Sequence, residues 1–114
     1  MPHFIIHCSS NVVKQVSSNE IITAINDTAV STSLFAPENI KVRILSFDEY
    51  LAAGKKDDFI HVFGHIMEGR TVEQKANLSR QMVSKLKNML PDVPIVSMNV
   101  SDFEKASYCN GTMV

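Results

Sequence analysis

Apolar and polar positions along the chain change period several times, and each change marks an element. Pro2 to Cys8 has the composition of a strand. A helix is predicted from about Ser18 to Ser33, opened by Ser17 and Glu20 at capping-box spacing, with Ile21, Ile22, Ile25 and Ala29 on one face. Ile40 to Leu45 is a second strand. The second half begins again with a strand, Phe59 to Ile66, followed by a glycine turn at Gly69. A long helix capped by Thr71, with Gln74 three residues on, then places Val72, Ala76, Ser79, Val83, Leu86 and Leu90 at a 3.6-residue period. Pro91 ends it, and Pro94 to Val100 is the last strand.

This order is β-α-β twice, with halves of about 2–52 and 58–102 joined by the polar link Ala53-Gly54-Lys55-Lys56-Asp57-Asp58. Each unit calls for parallel strands and a right-handed crossover. The expected fold is an α/β (α+β) single domain over residues 1–114, a four-stranded core sheet with both helices on one face. The chain supplies no third layer for the other face, so self-association is the expected cover. On the second strand Lys41, Arg43 and Leu45 share one side and Ile40, Val42 and Ile44 the other, which makes one side partly cationic.

At 114 residues the chain has room for one core. Its net charge of −1 provides no field for nucleic acid or anionic lipid. No apolar run approaches the ~20 residues of a membrane span, and the start lacks the pattern of a secretory signal, so the expected location is cytoplasmic. Cys8 and Cys109, far apart and without CxxC spacing, read as reduced structural thiols.

Pro2 carries the most chemical information. Removal of Met1 would make it a chain-terminal secondary amine, a base that desolvation and neighbouring cations draw toward neutral pH. Lys41, Arg43 and Arg70 are the cations available to stabilise charge developing on a substrate oxygen. Arg70 precedes a helix N-terminus, where the dipole favours an acid, and this misfit points to a functional placement. His61 and His65, four apart on a strand, lie about 13 Å from each other, as do His3 and His7; neither pair can hold one metal ion along its own strand. Phe35, Phe47 and Tyr50 read as core or subunit-contact aromatics. Phe63, on the strand face of His61, is the aromatic candidate for substrate contact.

Pro2-His3-Phe4-Ile5-Ile6, Cys8-Ser9 and Asn11, Ile40-Lys41-Val42-Arg43, Phe59-Ile60-His61-Val62 and Gly69-Arg70-Thr71, in this order, resemble the 5-carboxymethyl-2-hydroxymuconate isomerase family of the tautomerase superfamily. The similarity runs through roughly the first 90 residues, and the stretch after Asp102 matches poorly. The resemblance implies a homotrimer of double β-α-β subunits and an isomerase that uses no metal or cofactor. Its substrate would be a small unsaturated carboxylic acid, along which a proton is moved by the terminal proline. Carried over by position, Pro2 matches the base, Arg70 the arginine before the second helix, and Arg43 an arginine of the family pattern. Lys41 stands where the family has a strand arginine, a departure that keeps charge but loses the bidentate fork. His7 replaces an acid of the pattern. The competing expectation is a non-catalytic trimeric binding or regulatory protein on this fold or on a ferredoxin-like one, which has the same element order.

Overall fold

The computed structural model describes residues 1–114. Strand β1 (His3–Ser9) leads into a short helix α1 (Ser10–Gln15), then α2 (Ser18–Ser31), β2 (Lys41–Phe47), β3 (Phe59–Met67), α3 (Val72–Met89) and β4 (Ile95–Phe103). Single 3-10 turns occupy Pro37–Asn39 and Gly111–Met113. The two long helices begin where the caps predict. The Ser17 side chain accepts from the Glu20 N–H, and Thr71 and Gln74 close a full capping box. Helix α1 has no such signal in the sequence and is the one helix absent from the expected order; its Val12 plugs the core.

The sheet order is β2-β1-β3-β4. β1 pairs with β2 and β3 with β4, both in parallel, while the two halves meet along the antiparallel pair β1/β3. Direct pairing of β1 with β2 excludes the split β-α-β arrangement of a ferredoxin-like sheet, so that part of the competing expectation is corrected. Alternation along the strands then decides the faces. Phe4, Ile6 and Cys8 of β1 and Ile60 and Val62 of β3 are fully buried under Ile21 and Ile25 of α2 and Leu78, Met82 and Leu86 of α3. Each large side chain taken from water in this way contributes about 1.5–3 kcal/mol before entropy is counted. Gly64, in the middle of β3, leaves room for Met98 and Phe4, since a Cβ there would stand 2.9 Å from the Met98 terminal carbon.

The buried stripe of α3 differs from the expected one. Leu86 and Leu90 belong to it, but Val72 is exposed and Leu78 and Met82 are fully buried in place of Ser79 and Val83. Both sets keep the helical period. From the shared Leu86 toward the N-terminus the buried stripe runs one residue earlier than expected, which sets the larger leucine and methionine against the sheet.

Three rows of side chains cross the other, uncovered face. Lys41, His3, His65 and Ser101 form the first; Arg43, Ile5, Phe63 and Asn99 the second; Leu45, His7, His61 and Ser97 the third. The cationic side expected of β2 is present, and all four histidines of the chain lie on this face. The polar link turns tightly at Ala53 and Gly54, both at positive φ. Asp58 at its end accepts from Ser9 Oγ (2.9 Å) and Asn11 Nδ2 (3.1 Å), and the Phe59 N–H donates back to Ser9 Oγ (3.2 Å). The two halves are thereby tied through a fully buried serine.

Candidate active site

The chain start lies at the beginning of the paired strands β1 and β2. Pro2 is buried, and its carbonyl accepts from the Lys41 N–H at 3.1 Å, which fixes the first residues to the start of β2. The α-amine here belongs to Met1. Its pKa lies below the ordinary value, first through burial, then through the positive charges of Lys41 and Arg70. These are two of the three cations expected at the site, brought to the amine from β2 and from the loop before α3.

Each is held by neutral groups. Lys41 Nζ donates to the Asn39 carbonyl at 2.7 Å and reaches Met1 Sδ at 3.6 Å. Arg70 donates to the Leu34 carbonyl, and its guanidinium stands 6.0 Å from the centre of the Phe35 ring. The salt bridges of the chain are Lys55–Asp57, Lys56–Glu49 and Lys75–Asp102, so Lys41, Arg43 and Arg70 all lack an acidic partner. Uncompensated cations around a partly desolvated amine make a site ready for an anion and for a base of reduced proton affinity.

Arg43 lies one row further in. Its Nη1 donates to His3 Nδ1 at 3.0 Å. An arginine only donates, so His3 must carry its proton on Nε2. Burial, Arg43, Lys41, the chain amine and His65, in that order, hold the His3 pKa below the ordinary histidine value. Phe63 does not join the groups at the chain start. It stands opposite Ile5, with its ring 4.5 Å from His61 and 5.0 Å from His7. His61 is itself engaged at both nitrogens, with Ser97 Oγ at 2.6 Å and Asn99 Oδ1 at 2.7 Å.

Two residues at this corner escaped the sequence analysis. His65 lies opposite His3 across β1/β3, and Phe103 touches both rings at 6.0 Å, edge-on to His3 and stacked with His65. Separation along single strands hid the pairing, which follows only from the antiparallel meeting of the two halves. No three His, Cys, Asp or Glu side chains converge in a way that could hold a metal ion.

A four-stranded sheet of two β-α-β units, with a cation-flanked amine at its first strand, defines a domain of the tautomerase type. The chain belongs to the 5-carboxymethyl-2-hydroxymuconate isomerase family, whose model matches residues 2–108, further toward the C-terminus than the sequence comparison reached. It is 26% identical over 89 residues to 5-carboxymethyl-2-hydroxymuconate Delta-isomerase of Escherichia coli, covering 76% of this chain and 71% of that protein. Among solved structures, a 5-carboxymethyl-2-hydroxymuconate isomerase from Deinococcus radiodurans R1 superposes with a TM-score of 0.83 at 21% identity, over 96% of this chain and 87% of that one. A fused 4-OT symmetric trimer gives 0.81 at 17% identity, over 98% and 94%. The chain is accordingly an isomerase of the tautomerase class, as expected, and the competing expectation of a non-catalytic protein is set aside.

Proposed function

We propose that the mature chain begins at Pro2 and that the Pro2 nitrogen is the general base of a proton-transfer isomerisation on an unsaturated carboxylic acid resembling 5-carboxymethyl-2-hydroxymuconate. Pro2 takes a proton from the carbon beside a carbonyl or enol. The electron pair passes into the conjugated system as a dienolate, and the same proton returns to a carbon further along, so that substrate and product have the same composition. Arg70 stabilises the charge on oxygen, and Lys41 and Arg43 hold carboxylate. Phe63, set back in the middle of the face, would meet a substrate through its apolar end.

The observation that carries this reading is the convergence on the chain start of Lys41 and Arg70, neither with an acidic partner, whose charges together with burial lower the basicity of the amine there. The Pro2 carbonyl is fixed to the start of β2 by the Lys41 N–H, so loss of Met1 would leave the free amine on a held residue beside the same cations. A base of this kind has most effect when its pKa lies near working pH. Retention of Met1 makes Pro2 an amide nitrogen with no basicity.

The uncovered face supports a homotrimer. Ile5, Phe63 and Leu45 emerge on it, Leu45 at 55% exposure, and the chain has no second layer to cover them. Further copies of the same sheet are the simplest cover, and the 4-OT structure of the same fold is a symmetric trimer.

Intact mass of the protein from its native cells, with an NMR titration of the isotope-labelled Pro2 nitrogen and turnover of 5-carboxymethyl-2-hydroxymuconate, tests the reading. Loss of Met1, a nitrogen titrating below the ordinary proline amine and measurable turnover are expected. Complete Met1 retention, or a nitrogen titrating as in a free peptide, overturns it.

A further inference from the structure

We propose that mild acid dissociates the homotrimer into folded single chains, because two opposed histidine pairs on the face that assembly covers become charged. The inference rests on the homotrimer reading and adds a pH limit to it.

The pairs follow from the register of the antiparallel seam. His3 stands directly opposite His65 and His7 directly opposite His61, with Ile5 and Phe63 between the two pairs. Every histidine of the chain is thus matched with another across one ladder. Like charges directly opposite each other on a sheet repel. A pair with both rings protonated therefore disfavours any state that also removes it from water.

No acid on this face relieves that repulsion. β2 adds the permanent cations Lys41 and Arg43, and β4 adds only the neutral Ser97, Asn99 and Ser101. Asp102, on the opposite side of β4, is bound to Lys75 of α3 at 3.1 Å. Beyond the strand ends, Glu68 accepts from the Lys105 N–H, Glu104 is within 3.3 Å of Ser107 Oγ, and the Tyr108 ring lies 5.6 Å from that of Phe103. At the chain start the Met1 amine and Arg70 are further cations. At the other end Asp58 is held by Ser9 and Asn11, while Lys56 lies over the Tyr50 ring that meets Phe59. Cover by further copies of this sheet adds more of the same groups.

All four rings are half-buried in the single chain, so water reaches them there and is lost on assembly. Local bonds do not forbid the charge either. His61 meets Ser97 Oγ at 2.6 Å and Asn99 Oδ1 at 2.7 Å, and both oxygens can accept from a protonated ring. Separate chains therefore bind more protons than the trimer, and association weakens as pH falls. A hydrated imidazole titrates near ~6.5, so between about pH 7.5 and about pH 5.5 each histidine that must stay neutral in the trimer weakens association by about tenfold per chain. His3 contributes least. Burial, Arg43, Lys41, the chain amine and His65 already hold its pKa below the ordinary value in the single chain.

Sedimentation equilibrium of the intact protein at about pH 7.5 and about pH 5.5, with far-ultraviolet circular dichroism at both, tests the proposal. The mass should fall from three chains to one in acid with the helical signal retained, and three chains should return when the pH is restored. H7Q/H61Q should stay trimeric at the lower pH, at concentrations where the unmodified protein has separated. A second measurement needs no variant: the Cε1–H titration midpoints of the histidines should lie lower in concentrated, assembled protein than after dilution to single chains. These midpoints decide the matter if H7Q/H61Q fails to assemble at either pH.

A trimer of equal strength at both pH values overturns the proposal, as does acid dissociation undiminished in H7Q/H61Q. Midpoints that ignore concentration, or that rise on assembly because a neighbouring copy brings carboxylates to the rings, overturn it as well. A chain that is single already at about pH 7.5 removes the homotrimer reading together with this one. A trimer indifferent to acid removes this one alone.

Discussion

Arg43 reaches His3 diagonally across the parallel strands β1 and β2, with 3.0 Å between Nη1 and Nδ1, a contact in which the imidazole must be neutral to accept. Protonation of His3 would turn that acceptor into a donor aimed at a guanidinium. The unfolded chain, with its histidine at the ordinary value, takes up the proton first as pH falls. Folding stability should therefore decline with falling pH from about 6.5 downward, until the folded-state pKa is passed. Urea denaturation at about pH 7.5 and about pH 5.5 should show a smaller loss in His3→Gln than in the unmodified protein. An identical loss in both would mean that His3 does not contribute to it.

Arg70 bonds a backbone carbonyl and lies beside an aromatic ring, so its removal leaves no buried charge behind. Arg70→Ala should leave the circular dichroism spectrum intact and lower kcat/KM on a muconate-type acid by well over tenfold, in the range of a lost transition-state donor. An unchanged rate removes Arg70 from the site.

Lys41 grips neutral atoms with a single ammonium, whereas a guanidinium at the same place offers a fork that matches a carboxylate. Lys41→Arg should raise kcat/KM on 5-carboxymethyl-2-hydroxymuconate, with the gain appearing mainly in KM. A loss would show that this site is shaped around the smaller head group.

Cys8 lies under the helices with its thiol pushed up to about 11 by burial, while Cys109 is exposed near the C-terminus. Thiolate is the reacting form. In the native protein at neutral pH, mass spectrometry should find one rapid alkylation by N-ethylmaleimide, at Cys109, and a second only after denaturation. Rapid native labelling of Cys8 would contradict its enclosure.

Ser9 Oγ donates to Asp58 and accepts from the Phe59 N–H at full burial. Ser9→Ala leaves that N–H without its partner and should destabilise the fold by about 1–3 kcal/mol, read as a lower urea midpoint. The slope of the unfolding curve should stay unchanged.

Local chemistry made most of the architecture legible. Ser17 with Glu20, and Thr71 with Gln74, mark both long helices by local spacing alone. Alternation on β2 correctly put Lys41 and Arg43 on one side. Relationships that depend on how the halves meet were hidden: nothing local to His3 announces His65, and Phe103 reaches both only because β4 runs beside β3. The α3 stripe shows a subtler limit. Two sets that share Leu86 and Leu90 and differ by one residue toward the helix start fit the period about equally well, and the volumes of Leu78 and Met82 against the sheet chose between them. The short helix at Ser10–Gln15 lacks a side-chain cap hydrogen bond altogether, and packing of Val12 holds it.

The antiparallel seam between β1 and β3 relates the two halves by an approximate half-turn, so the molecule has two similar doorways at opposite ends of its sheet. One opens where the polypeptide begins, among cations. At the other, ahead of Phe59, the chain runs through, and Asp58 is bolted to Ser9 and Asn11. A circular permutant starting at Phe59 would move the free amine to an acidic threshold, which raises rather than lowers its proton affinity. Such a permutant could keep the architecture and still be chemically silent.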